Sequence, residues 1–291
     1  MKKNNWILVV LLLVTLEVFV GYQQIDNLRT DTKPPQISID DSKMLEISVA
    51  APKEDLLQGV SATDARDGDV SRKLVVEGMQ LINRDGLIEV AYAVADRSGN
   101  VAKAERKVCY TDYESPKFSL TAPLIYAEHE NIDIMQDVFA TDVLDGDIQH
   151  RIRATSMTSD AISNLGVHDI HLQVTNSLGD TSELVIPVEV LEKNTYEATL
   201  FLTDYLIYLP QGSEFQPRNY LDSFEYKSNT VDLSGSVPTD YAVAVKSDVD
   251  VNVPGVYTVE YRVTYIVRHA TNPDFDQKFT GYSKLIVVVE G

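Results

Sequence analysis

From Leu87 to Ala95 the chain reads LIEVAYAVA, with Ile88, Val90, Tyr92 and Val94 on one parity and Leu87, Glu89, Ala91 and Ala93 on the other. A period of two predicts a strand with one face buried. The pattern returns in VHDIHLQVT, where His168, Ile170, Leu172 and Val174 share one face, while Asp169, His171 and Gln173 share the other, which sends His171 to solvent. It returns again in GVYTVEYRV, where Tyr257, Val259, Tyr261 and Val263 share a parity. The turns DRSGN and NSLGD follow the first two copies and predict tight antiparallel connections. Beyond residue 22 no stretch sustains a helical period with caps.

The first 22 residues are of another kind. MKKNN precedes an apolar run, Trp6 to Tyr22, interrupted only by Thr15 and Glu17. A basic cap before such a run predicts an export or anchoring signal, and the absence of a small-x-small pattern before Gln23 predicts that it is retained. Residues 1–22 are accordingly expected to be a cytoplasmic tip and single-pass membrane anchor, and 23–33 a linker. The positive-inside rule then places everything after Asp26 outside the cytoplasm. The run is short against the roughly 20 residues a spanning helix needs.

After the anchor the chain repeats itself. Pro34-Pro35 introduces QISI, and ESPKFSL from Glu114 is a near-copy. SATDARDGDV in the first unit becomes FATDVLDGDI in the second, so that Asp64 corresponds to Asp142, Gly68 to Gly146, Val94 to Val174 and Gly99 to Gly179, a spacing of about 80 residues. Short strands and turn signals at that spacing predict an all-β protein of three tandem antiparallel β-sandwich modules after an N-terminal transmembrane helix: 34–112, 113–193 and a divergent third module, 194–291. The third keeps GVYTVEYRV and a closing KLIVVVE. It lacks the acidic element and replaces the tight turn with RHATNPDFDQK, Arg268 to Lys278. Since the third repeat lacks the acidic element, the second junction is expected to be the looser one.

A formal net charge of -19 argues against a nucleic-acid partner, which needs clustered Lys and Arg. Cys109 is the only cysteine, so no disulfide forms within the chain and a multi-thiolate zinc site is excluded. The five histidines show no metal-ligand spacing, and no GxGxxG, GxxxxGK[ST] or GxSxG occurs. Arg151 and Arg153, beside the second acidic turn, are expected to alternate outward from a strand and balance local charge.

These elements resemble the bacterial surface immunoglobulin-like repeats, relatives of the hyalin repeat and of the uncharacterised domain class 5011. The resemblance rests on GVSATDARDGD and VAYAVADRSGN in the first repeat, on FATDVLDGD in the second and on GVYTVEYRV in the third. It covers most of Pro34 to Leu191, and it implies a β-sandwich stalk module and no enzyme.

The acidic elements admit three readings. A catalytic pair needs a pocket and one carboxylate with a raised pKa, and the sequence supplies neither. A structural turn needs Asp67 in an Asx-turn, a positive φ at Gly68 and Asp64 capping nearby amides. A calcium site takes several hard oxygen ligands, here Asp64, Asp67 and Asp69 in the first repeat, and Asp112, Glu114, Asp142, Asp145 and Asp147 at the first junction. Partner binding is assigned to the divergent loop, on His269, Asn272, Asp274 and Phe275 with Tyr282 beside them. The function expected is that of a membrane-anchored bacterial surface protein, structural and adhesive, whose stalk presents a distal face to a protein or glycan. The alternative is an extracytoplasmic accessory subunit of a membrane or exported enzyme, such as one acting on polysaccharide. The missing sorting motif after Glu290 favours the alternative.

Overall fold

A computed structural model describes residues 4–29, 31–130, 132–154, 164–268 and 276–291. Helix α1 (Asn4–Arg29) carries the apolar run and continues through the polar residues that follow it. Among the described residues no helix is long and apolar enough to cross a membrane. The apolar stretch from Trp6 to Tyr22, at 1.5 Å per residue, falls short of a hydrocarbon core about 30 Å thick. The expected single-pass anchor is thereby overturned, and with it the membrane as a partner and the orientation deduced from the anchor.

The rest of the chain is built of strands and falls into two compact units, Met1–Glu114 and Ser115–Gly291. In the first, β1 (Gln36–Ile39), β3 (Val60–Asp64) and β4 (Gly68–Asp69) form one sheet; β2 (Leu45–Ile47), β5 (Val75–Leu81), β6 (Leu87–Ala95) and β7 (Val101–Tyr110) form the other, in the order β2-β7-β6-β5. The chain changes sheets between β1 and β2. The predicted alternation is realised in β6, where Ile88, Val90, Tyr92 and Val94 are buried and their neighbours half-buried. Each such side chain contributes roughly 1.5–3 kcal/mol by leaving water. The Tyr92 hydroxyl donates to the Leu56 carbonyl in the 3-10 turn Lys53–Leu57 at 2.8 Å. β6 is entered through Gly86 at φ +84, where a Cβ would lie 2.2 Å from the Tyr110 carbonyl oxygen, so only glycine fits.

The second unit repeats the plan once and then departs from it. β8 (Lys117–Leu120), β10 (Val138–Asp142) and β11 (Gly146–Asp147) form a three-stranded sheet, and β9 (Ile125–Ala127), β12 (Arg153–Ala154), β13 (Gly166–Thr175) and β14 (Thr181–Leu191) a four-stranded one. His171 on β13 is exposed, as its parity predicts. The third repeat supplies β15 (Ala198–Leu202), β16 (Leu206–Pro210), β17 (Leu221–Tyr226), β18 (Asn229–Asp232), β19 (Tyr241–Ser247), β20 (Gly255–Val267) and β21 (Gln277–Glu290). They make one seven-stranded sheet, not two, because β15 and β16 both pair in parallel with the long β21, the first near Gly281 and the second from Ile286 to Glu290. The Tyr261 hydroxyl donates to the Pro217 carbonyl at 2.8 Å, the counterpart of the Tyr92 contact.

The second and third repeats share apolar surface. Leu206, Ile286, Tyr208 and Val288 pack with Phe118, Ile134, Ile186 and Val188 in the core of the second repeat. Leu285, Val287 and Val289 on the opposite parity of β21 belong to the core of the third, with Leu200, Phe224 and Tyr261. The Phe118 N–H donates to the Tyr208 hydroxyl at 2.9 Å, and burial pushes that phenol up to about 12. Further along β21, Lys284 pairs with Glu189, to which Tyr282 also donates. The second junction is therefore a continuous core, contrary to the looseness expected from the missing acidic element: apolar side chains on β16 and β21 do there what an acidic turn does not.

Candidate functional site

The acidic elements are turns closed by their own carboxylates. Asp64 ends β3 and is buried, and its Oδ1 accepts the N–H groups of Arg66 and Asp67 at 2.8 Å each. Those two bonds, Asp67 first, hold its carboxyl below the usual carboxylate range. Gly68 takes φ +74. Asp64, not Asp67, thus forms the Asx-turn; Asp67 instead reaches across the module end, its Oδ2 accepting the Arg97 N–H at 2.6 Å. Asp69 accepts the Ser71 N–H at 2.9 Å.

The second repeat builds the same turn. Asp142 accepts the N–H groups of Leu144 and Asp145 at 2.9 Å each, Gly146 takes φ +71, and Asp147 accepts the Gln149 N–H at 2.9 Å. Asp145 reaches across as Asp67 does, and accepts the Ser177 N–H at 2.6 Å, the Ser177 hydroxyl at 2.7 Å and Arg151 Nη1 at 2.6 Å. Arg151 lies on the 3-10 turn Gln149–Arg151 and not on a strand, and it balances the charge of Asp145 as expected, while Arg153 is exposed on β12. Of the remaining candidates, Asp112 is held within the first unit by the Ser48 hydroxyl and the Val49 N–H, both at 2.7 Å, and Glu114 is exposed at that unit's end.

The sequence reading missed Asp31 and Asp96. Asp31, Asp64 and Asp96 each offer one carboxylate oxygen, all within 4.8 Å of one another. Asp96 is buried; its Oδ1 accepts the Asn100 N–H at 2.8 Å and its Oδ2 accepts Asn100 Nδ2 at 2.7 Å. In the second repeat the acid and the amide have changed places. Asn176 stands where Asp96 does and donates from Nδ2 to Asp142 Oδ2 at 3.0 Å, while Asp180 stands in place of Asn100. The second repeat therefore satisfies its buried aspartate with an amide, whereas the first sets one carboxylate against another, a grouping whose repulsion a hard cation would relieve. The signal was present in the inverted order of DRSGN and NSLGD.

Of the partner-binding candidates, His269, Asn272, Asp274 and Phe275 lie outside the described residues. Tyr282 is buried, stacks on Tyr196 with ring centroids 5.1 Å apart and donates to Glu189 Oε2 at 3.2 Å, an engagement within the second unit.

No protein-family model matches the chain. It is 27% identical over 219 residues to the pesticidal crystal protein Cry22Aa of Bacillus thuringiensis, a match covering 73% of this chain. The match spans 28% of that relative's length. Among solved structures, the CBM51-2 and INT domains of Clostridium perfringens ZmpB, in complex with GlcNAc, are 13% identical, with a TM-score of 0.22 over 88% of this chain and 44% of that one. Mouse cadherin-23 EC22-24 is 11% identical, with a TM-score of 0.20 over 88% of this chain and 99% of that one. Mouse protocadherin-24 EC1-3 is 10% identical, with a TM-score of 0.21 over 89% and 91%. Likenesses this low carry no argument about chemistry, and the all-β architecture stands on the strands described above.

Proposed function

We propose that this chain is a non-catalytic surface protein of three immunoglobulin-like modules, similar to the bacterial surface repeats, that serves as a stiff spacer and presents a face to a protein or glycan. The observation that carries this reading is the shared core of the second and third repeats, which makes one body of two modules. The carboxylates of the acidic turns support it, since Asp64 and Asp142 are engaged by neighbouring N–H groups that close the turns. The test immobilises the full chain and probes it with a glycan array and with solubilised envelope proteins. Saturable retention of one ligand, released unaltered, is the expected result. Turnover of a retained glycan or peptide that disappears in a folded Asp142→Ala variant would replace the spacer with a hydrolase. Stoichiometric co-purification with one enzyme would favour the accessory-subunit reading.

A second reading rests on the contrast between the repeats. In it, calcium binds the first repeat through Asp31, Asp64 and Asp96 and has no equivalent place in the second, where Asn176 supplies a donor. Calcium should then raise the melting temperature of the full chain, and Asp96→Asn, which copies the second repeat, should abolish the rise. An unchanged melting temperature at millimolar calcium would leave the turn purely structural.

A further inference from the structure

Arg106 occupies a position that the sister repeats fill with hydrocarbon. On β7 it pairs in register with Val90; the same place in the second repeat, opposite Ile170, is Ile186, and in the third, opposite Val259, is Leu285. Ile186 and Leu285 are both 0% exposed, and Arg106 is 7% exposed. A guanidinium thus replaces an aliphatic side chain at the core of the first repeat alone. Its Nη1 donates to the Gln58 carbonyl and its Nη2 to the Leu56 carbonyl, each at 2.7 Å, and it lies 5.6 Å from the centre of the Tyr92 ring. The buried Nε has no hydrogen-bond partner. No ion pair joins Arg106 to a carboxylate among the described residues. A buried charge without a counter-charge is costly, and beyond the two carbonyls the polar neighbour of the guanidinium is the Tyr92 hydroxyl.

A cavity of about 290 Å³ opens beside it, lined by Asp41, Lys43, Met44, Arg106 and Lys107. Three of these five side chains are cations, in a chain whose net charge is -19. Lys43 and Lys107 are exposed and make no ion pair with a described residue. Asp41 is the one acid at the rim, and its charge is felt at the Tyr92 hydroxyl.

We propose that the first repeat holds an oxyanion-binding site in this cavity, in which Arg106 and the ammonium groups of Lys43 and Lys107 receive a carboxylate, sulfate or phosphate group. The inference goes beyond the spacer reading and stands or falls separately from it. Arg106 fixes the place of the anion because its two backbone acceptors orient the guanidinium; the lysines supply charge without geometry. An occupant would neutralise the charge that the sister repeats avoid.

The test titrates the full chain with sodium sulfate, inorganic phosphate and sodium acetate against sodium chloride of matched ionic strength, and follows the backbone amide resonance of Met44, which every variant retains, together with the Arg106 Nε–H resonance. A saturable shift with at least one oxyanion and none with chloride is expected, and the ranking of the three salts identifies the group preferred. Lys43→Gln with Lys107→Gln, which touches no core residue, should weaken that affinity at least about tenfold. Arg106→Met, which restores an apolar side chain as in the sister repeats, should abolish it. Shifts that never saturate, that chloride reproduces, or that survive unchanged in the lysine double variant overturn the proposal, and the double variant decides if Arg106→Met does not fold.

Discussion

Replacing Lys284 with methionine strands the charge of Glu189 where the second and third repeats meet. Lys284 is 8% exposed and the Glu189 side chain 17%, and the Tyr282 hydroxyl donates to the same carboxylate at 3.2 Å. Two unit charges 4 Å apart attract by about 4 kcal/mol at an effective dielectric of about 20. Removing one partner of a well-buried pair costs about 3–5 kcal/mol; Glu189 keeps some water and the Tyr282 bond, so Lys284→Met should cost about 2–3 kcal/mol. Glu189→Gln should cost a similar amount, because the ammonium is left with little beyond the Tyr282 ring, 5.9 Å away. Removing both charges, as Lys284→Met with Glu189→Met, should return to within about 1 kcal/mol of the original, since replacing both ions by hydrocarbon relieves their desolvation. The assay is a double-mutant cycle from urea unfolding of the full chain, followed by far-ultraviolet circular dichroism and fitted with a separate transition for each unit. Each single variant should also lower the thermal midpoint of the second unit by about 5–10 °C. Single losses below about 0.5 kcal/mol, or a double variant as unstable as the sum of the singles, would show that the pair behaves as a surface ion pair and that the junction is not a core.

Asp142→Ala removes the acceptor of three donors and should destabilise the second repeat by about 2–4 kcal/mol in the same urea assay. Asp145 is opposed by its own burial, but the Ser177 hydroxyl and N–H, then Arg151, hold its carboxyl below the usual range. A lowered carboxyl contributes stability above its unfolded pKa of about 3.9, lost as pH falls through the folded value; the urea midpoint should therefore drop below about pH 4, and Asp145→Asn should flatten that drop. Gly86→Ala should cost at least about 3 kcal/mol by forcing a Cβ onto the Tyr110 carbonyl. Gly68→Ala, where a Cβ meets nothing within 4 Å, should cost only about 1–2 kcal/mol for its positive φ, as read by thermal melts.

The strands that carry the cores were legible in sequence because a period of two is a local property. Ile88, Val90, Tyr92 and Val94 announced their burial, and the exposed His171 announced its face. The turn was legible as a motif, with Asp64 capping nearby amides and Gly68 at positive φ, but Asp67 was expected to fold back on its own backbone and instead accepts from Arg97, a partner 30 residues away. Pairs made across the fold were not legible: Asp96 meets Asp64, and Asn176 meets Asp142, only when two turns at one end of a module are brought together. The shared junction had a signal that went unread. In LIVVV, Leu285 to Val289, apolar residues occupy both parities, as a strand buried on both faces requires. The apolar run at the amino terminus misled for the opposite reason, since composition suggested an anchor that its length does not supply.

Because alternate side chains of β21 feed two different cores, the order in which the chain is made constrains the order in which it can fold. The second repeat has all its own strands once Leu191 has been synthesised, yet Ile286 and Val288, which complete its apolar interior, arrive almost a full module later. Until then a nascent chain carries the face meant for them open to water or to a chaperone. A stop codon anywhere before Gln277 would consequently damage two modules, leaving the second with an unsealed side even though every residue of its own sheets is present.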